Sequence, residues 1–275
     1  MKRNKKWSLL ALAMAMAMLL VFAGCNRDDN GSSGEESNPS DAVSDVDYTD
    51  GEDVADQVFL IEEIDKAIER NQDTVGWIRI PGTTVDDAVL QAKDNDYYLR
   101  LNEDKKYDIY GCYFADYGSK LGGGREGLSK NTIIYGHSDL KDNKDGKKFS
   151  QLFKYTDLEF LKENPYIYFS TPESDMVWQV FAVFYTHIKF NYIQPNPSDE
   201  EFQKILDEAK SKSEFIIDTP VTTEDNILTL STCTVNYNPA DHDNYRLVVM
   251  AKLLPTNEVP ATGVNAEVNP NPVKS

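Results

Sequence analysis

"NILTLSTCTVNYNPADHDNYRLVVMAKLL", residues 226–254, decides the fold. Two runs rich in Leu, Val and Thr, 226–233 and 245–254, flank an Asn- and Asp-rich connection, which is the pattern of two strands joined by a loop. Cys233 ends the first run and Arg246 lies at the start of the second. By residue type alone, a Cys in such a strand is a small buried hydrophobe. An Arg there is a surface charge with a packed stem. The other reading is chemical. A cation near a thiol favours the thiolate, which is the nucleophilic form.

Working outward, the other segments read as strands or helices. "TVGWIRIPGT" (74–83) is a short strand stopped by a Pro-Gly turn. "YDIYGCYFADY" (107–117), "NTIIYGHS" (131–138), "YIYFSTP" (166–172) and "MVWQVFAVFYTHIKF" (176–190) are β-branched and aromatic, hence strands. "VFLIEEIDKAIERN" (58–71) spaces Leu60, Ile61, Ile64 and Ile68 as an amphipathic helix does. "FSQLFKYTDLEFLKENP" (149–165) reads as a short helix and a turn, and "SDEEFQKILDEAKSKS" (198–213) as a helix whose Ser198 and Glu201 form a capping box. Many strands with few helices predict a mainly β fold: a closed antiparallel barrel with an N-terminal helix and a helical insertion before the last two strands.

The flanks carry different information. Lys2, Arg3, Lys5 and Lys6 precede a run without charge from Trp7 to Gly24, which ends at Cys25. That is an export signal. Either "VFAGC" is a lipobox, so that residues 1–25 are a signal peptide and Cys25 carries lipid, or the run stays as a membrane anchor. Both place the remainder on the extracellular face of the cytoplasmic membrane. Residues 26–57 hold eleven acidic side chains against one basic, which predicts a disordered acidic linker. One domain is expected over 58–254, followed by a disordered Pro- and Asn-rich tail over 255–275. The tail contains "EVPATG", superficially like a sorting signal, but it lacks a following apolar span. A net charge of −18 without a basic stripe argues against nucleic acid as a partner. No pair of Cys or His has metal-ligand spacing, so neither metal nor cofactor is expected. "DNKDG" (142–146) reads as a polar turn.

A reactive Cys233 needs a proton carrier and an oxyanion donor. Of the three histidines, His137 follows Gly136 at a strand end, where by residue type it is more often a turn residue than a base, His187 reads as structural on a strand face, and His242 as a solvated loop residue, so that spacing alone selects none of them. The candidate set is Cys233 as nucleophile, His137 as acid and base, and Arg246 on the oxyanion, with the backbone N–H of Thr234 as a second donor.

Several segments in order, "NTIIYGHS", "TLSTC", "YRLVVMAKL", "DTVGWIRIPGTTVDDAVLQAKDNDYYLRLN", "KKFSQLFKY" and "FNYIQPNPSDEEFQKILDEAKSKS", resemble class B sortases from about Ile61 to Leu254. The resemblance implies a monomeric, membrane-tethered cysteine transpeptidase without cofactor. Such an enzyme cuts a sorting signal near the C-terminus of a secreted protein after a threonine. It then passes the acyl group from a cysteine thioester to an amine of peptidoglycan precursor or of a pilin. The family's triad falls on His137, Cys233 and Arg246, and its groove residues on Asn95, Leu99, Tyr192, Ile193 and Ser231. The connection 234–245 is a few residues longer than is usual for the family. An active enzyme requires Cys112 to be unpaired, and we expect it to be an inert buried thiol. Two other readings stay open: a lipid-anchored β-barrel that binds a partner without catalysis, and a cysteine hydrolase using the same triad.

Overall fold

The computed structural model describes residues 52–274, apart from 257 and 259, with the backbone alone over 52–59. The expectations for residues 1–51, including Cys25 and the anchor, lie outside the described residues. Among the described residues no helix is long and apolar enough to cross a membrane.

In chain order the elements are α1 (Glu52–Arg70), β1 (Thr74–Arg79), β2 (Asp86–Leu90), β3 (Tyr113–Ala115), the single turn α2 (Gly124–Gly127) and β4 (Asn131–Tyr135). There follow α3 (Leu158–Glu163), β5 (Tyr166–Ser170), β6 (Val177–His187), α4 (Asp199–Lys212), β7 (Phe215–Ile217), β8 (Ile227–Cys233), β9 (Tyr245–Leu253) and β10 (Ala266–Val268). Eight strands close a barrel in the order β1-β2-β3-β4-β8-β9-β6-β5. The expected barrel is therefore present, with one correction: it is not wholly antiparallel. β2–β3 and β4–β8 are parallel seams. Parallel neighbours need a long crossover. Between β2 and β3 it carries the 3₁₀ turn Tyr97–Arg100, and between β4 and β8 it carries β5, β6, α4 and β7.

Alternation along the strands sorts their two faces. Leu228 and Leu230 on β8, and Leu247, Val249 and Ala251 on β9, point into the barrel with Ile78, Val89, Phe169 and Trp178. Ile227, Val248 and Met250 point outward and are covered by Phe202, Ile205, Leu206 and Ala209 of α4. α4 begins with the capping box read from the sequence: Ser198 accepts from the Glu201 N–H, and the Glu201 carboxylate accepts from the Ser198 N–H. α1 buries Leu60, Ile64 and Ala67 against the barrel. It begins at Glu52, inside the segment expected to be linker.

Two more expectations are corrected. The strand expected over 107–117 shrinks to Tyr113–Ala115, because Gly111 turns the chain at φ 58° in the left-handed region. The tail expected to be disordered is docked. β10 pairs antiparallel with β7, and the Asn269 and Val273 N–H groups donate to the Glu214 and Ser211 carbonyls. The Ala261 N–H donates to the Tyr166 hydroxyl and the Val264 N–H to the Lys162 carbonyl. These contacts lie on α3, β5, the end of α4 and β7, and none of the tail's described residues lines the groove that carries Cys233. Truncation after Leu254 should strip this strand and lower the thermal midpoint by about 3–6 °C, the equivalent of ~1–2 kcal/mol in a domain of this size. Calorimetry checks this, and an unchanged midpoint would contradict the docking.

Candidate active site

Strand register brings the three candidate catalytic residues together. On the parallel seam Tyr135 is level with Ser231. Two residues further along each chain come His137 and Cys233. The register is kept beyond the strand ends: the Thr232 hydroxyl donates to the Gly136 carbonyl at 2.8 Å, and the Ser138 hydroxyl to the Cys233 carbonyl at 2.6 Å. On the other side of β8, Cys233 is level with Arg246. The Thr234 N–H donates to the Tyr245 carbonyl, so the neighbouring Cys233–Arg246 pair is of the non-hydrogen-bonded kind, in which side chains lie closest.

The faces agree as well. Because Leu228 and Leu230 point inward, Ser231 and Cys233, at odd positions of the same strand, both lie on the opposite face, the barrel's outer wall. Arg246 shares that wall with Val248 and Met250. His137, Cys233 and Arg246 all line one cleft of about 300 Å³. Cys233 is free and exposed, whereas Cys112 is free, buried and without exposure. Burial pushes the Cys112 thiol far above its ordinary pKa, which suits the inert role expected of it.

Gly136 is what lets His137 sit here. A Cβ at that position would lie 2.7 Å from the Phe149 ring and 3.0 Å from that of Tyr113. The His137 carbonyl accepts from the Phe149 N–H at 2.9 Å. On the imidazole, Nε2 lies 2.6 Å from the Leu99 carbonyl, which places a proton on that nitrogen and leaves Nδ1 with the lone pair. Burial lowers the His137 pKa, the Leu99 carbonyl works against that, and Arg100 lowers it further. One Arg100 amino group is 3.3 Å from Nε2 and also donates to the Ile109 carbonyl. With Nε2 already protonated, Arg100 acts on the ring as a charge. Sequence reasoning missed Arg100, because nothing in "YYLRLN" signals that the crossover will bring it to His137.

Asn95, Leu99, Tyr192, Ile193 and Ser231 line the same cleft, with Asp96, Phe114, Tyr135 and Ile188. The Tyr192 hydroxyl and Ser231 Oγ are 2.9 Å apart. The buried Asp116 carboxylate accepts from Asn95 at 2.7 Å and from the Tyr135 hydroxyl at 2.8 Å. This fixes the Asn95 amide, whose oxygen accepts from the Tyr117 N–H. Thr234 is the exception. It is fully buried and outside the cleft lining, and its N–H is committed to the Tyr245 carbonyl at 3.3 Å. The expectation of a second oxyanion donor at Thr234 is therefore corrected. The Val235 and Asn236 N–H groups are held by Asp142. The Arg246 guanidinium is held from behind by the Asp243 and Tyr245 carbonyls, each at 2.9 Å.

His187 lies edge-on to Tyr245 and 3.4 Å from Asp241, and His242 is exposed beside Asp243. Neither lines the cleft. Among the described residues no group of His, Cys, Asp and Glu is placed to hold a metal ion.

Comparison with known proteins bears on this geometry. A family model described as the Sortase domain matches residues 78–254. Sortase B of Listeria monocytogenes serovar 1/2a (strain ATCC BAA-679 / EGD-e) is 37% identical over 185 residues, which is 67% of this chain and 71% of that protein. Sortase B of Staphylococcus aureus (strain NCTC 8325 / PS 47) is 36% identical over 185 residues, with the same shares. A Staphylococcus aureus sortase B–substrate complex superposes with a TM-score of 0.63 at 33% identity, covering 72% of this chain and 87% of that one. Clostridium perfringens sortase B gives 0.60 at 30% identity, covering 70% and 99%.

The Arg100 contact has a measurable consequence. Arg100→Leu removes a cation beside the ring, so the His137 pKa should rise, as read from its imidazole NMR shifts. An unchanged or lower value would contradict the assignment. The lowered pKa also sets a stability slope. The folded protein binds the His137 proton less readily than the unfolded chain does. Its contribution is therefore present above the ordinary histidine pKa and lost as pH falls through the folded value. Arg100→Leu should flatten that slope in urea titrations across the acid range.

Proposed function

The chain belongs to the sortase family and is a sortase-type cysteine transpeptidase of class B, and from that premise we propose that it cuts a C-terminal sorting signal after threonine and transfers the acyl group to an amine. The observation that carries this reading is the convergence of an exposed Cys233, His137 and Arg246 on one cleft. The cleft's apolar wall of Leu99, Phe114, Ile188 and Ile193, with the fixed amide of Asn95, suits an extended peptide.

The chemistry follows from the groups present. His137 Nδ1 takes the proton of the Cys233 thiol, the resulting thiolate attacks the threonine carbonyl carbon, and the carbonyl electron pair moves to the oxygen. Arg246 holds that oxyanion. Collapse breaks the C–N bond as His137 gives its proton to the departing amine, leaving a thioester on Cys233. The acceptor amine then attacks the thioester and gives its proton to His137, and the Cys233 thiolate departs. With the N–H groups of Thr234, Val235 and Asn236 all engaged elsewhere, the hairpin's contribution to oxyanion binding rests on Arg246.

The acceptor is an amine of peptidoglycan precursor or of a pilin. The N-terminal segment, through a lipidated Cys25 or an uncleaved helix, tethers the enzyme as a monomer to the outer face of the cytoplasmic membrane. The basic head and charge-free run of residues 2–24 support that placement. Incubating the protein with peptides bearing Pro-x-Thr motifs should give an acyl adduct mapped by mass spectrometry to Cys233. Added amine should convert the adduct to ligated product. Hydrolysis alone, with no ligation, would favour the cysteine hydrolase, and peptide binding without any adduct would favour the non-catalytic binder. Cys233→Ala should abolish the adduct, and Arg246→Ala should lower kcat by ~10²–10³-fold, the usual effect of removing an oxyanion donor.

A further inference from the structure

The turn "SDLKDNKDG" (138–146) follows the catalytic histidine and carries no assigned role. Its Asp142 reaches across to the chain just past the nucleophile. One carboxylate oxygen accepts from the Thr234 hydroxyl at 2.7 Å and from the Asn236 N–H at 2.8 Å, and the other from the Val235 N–H at 2.8 Å. The Asn236 side-chain amide donates to the Lys141 carbonyl at 2.8 Å. The Ser138 hydroxyl donates to the Cys233 carbonyl at 2.6 Å. Five hydrogen bonds thus join the loop of the general acid to the four residues from Cys233 to Asn236.

Asp142 is held in the left-handed region, at φ 50°, where only Gly and, to a lesser degree, Asn and Asp are comfortable. Its own N–H donates to the Asp139 carbonyl, and the Asp139 N–H donates to Ser150 Oγ at 2.7 Å. The turn is therefore anchored on the side away from Cys233 as well. On the far side of the catalytic loop Tyr237 stacks on Tyr185, centroids 4.4 Å apart.

We propose that Asp142 is a positioning residue for the transpeptidase reaction: by clamping residues 234–236 to the histidine loop it sets the separation and orientation of His137 relative to Cys233. This rests on the triad reading above. Asp142 does not line the cleft and touches no reacting atom. It acts just past the last backbone bond of the β4–β8 seam, from the Gly136 N–H to the Ser231 carbonyl at 3.4 Å, where the bonds joining the two loops run through side chains. Strand register brings the groups near one another, and the clamp holds them there. Sequence reading took this segment for a plain polar turn because the carboxylate's partners lie over ninety positions away.

Asp142→Asn isolates the claim, because Asn tolerates the left-handed backbone but loses the charge and can no longer accept all three donors. The readout is the pH dependence of Cys233 alkylation by iodoacetamide in the whole protein, with thermal midpoint, kcat and KM alongside. In the wild type the alkylation profile should depend on His137, so that His137→Ala changes it. Asp142→Asn should move the profile toward that of His137→Ala and lower kcat about tenfold or more, with KM within about twofold. Asp142→Gly, which relieves the backbone, should do the same. In the His137→Ala background, Asp142→Asn should have no further effect on alkylation. A wild-type profile in both Asp142 variants, whatever the thermal midpoint, would overturn the proposal, as would an additive effect in the double variant. Alkylation needs no sorting signal. A wild type that forms no acyl adduct would therefore sink the transpeptidase reading while leaving this comparison intact.

Discussion

The central constraint is the register of three neighbouring strands. β8 is paired on one side with β4, in parallel, and on the other with β9, antiparallel. A shift of one residue in either pairing would turn a strand's outward side chains into the barrel. Cys233 would then exchange faces with Thr232, which is buried and bonded to the Gly136 carbonyl. The barrel interior prevents that slip, because Leu228, Leu230, Leu247 and Val249 must all stay inside. The hydrophobic effect on one face of the sheet thus fixes chemistry on the other.

The outer wall is built differently from the core. It carries a stripe of paired polar groups: Asn131 with Thr229 at 2.7 Å, Tyr192 with Ser231, and Tyr135 with Asp116. Buried polar atoms of this kind are costly unless satisfied, and once satisfied they have a single arrangement. Asn131 extends the network to the Tyr192 carbonyl, tying the loop that carries Tyr192 and Ile193 to β4. The cleft floor is therefore rigid before any peptide arrives. Preorganisation of this kind suits a reaction whose demand is for fixed donors at a developing oxyanion.

Most strands, the capping box of α4 and the barrel were legible in the sequence, each for a physical reason, whereas spacing alone did not single out His137, Cys233 and Arg246, which rested on the resemblance of whole segments. Alternation in "LTLSTC" and "RLVVMA" reports one apolar face, and Ser198 with Glu201 reports a helix start. Other features carry no such signal. Periodicity does not reveal pairing direction, so the parallel seams were invisible. "DDAVL" is short and opens with two acids, so β2 did not read as a strand in its own right. The tail is poor in apolar residues, but β10 is held mainly by backbone bonds to β7, which composition cannot report. Thr234 failed as an oxyanion donor for a similar reason: where an N–H points depends on the hairpin's hydrogen-bond phase. Arg100 and Asp142 act over long sequence separations on crossover loops, and only the closed fold brings them to His137 and Cys233.

The most direct test of the convergence uses the sulfur itself. His137→Cys and Arg246→Cys, made singly, each place a second thiol level with Cys233, at a spacing that neighbouring strands share with disulfides. Under mild oxidation with glutathione disulfide, peptide mapping should find both variants closed to an intramolecular bond with Cys233, while Cys112 stays reduced. If either variant fails to close, the strand register on which the active site is built is wrong.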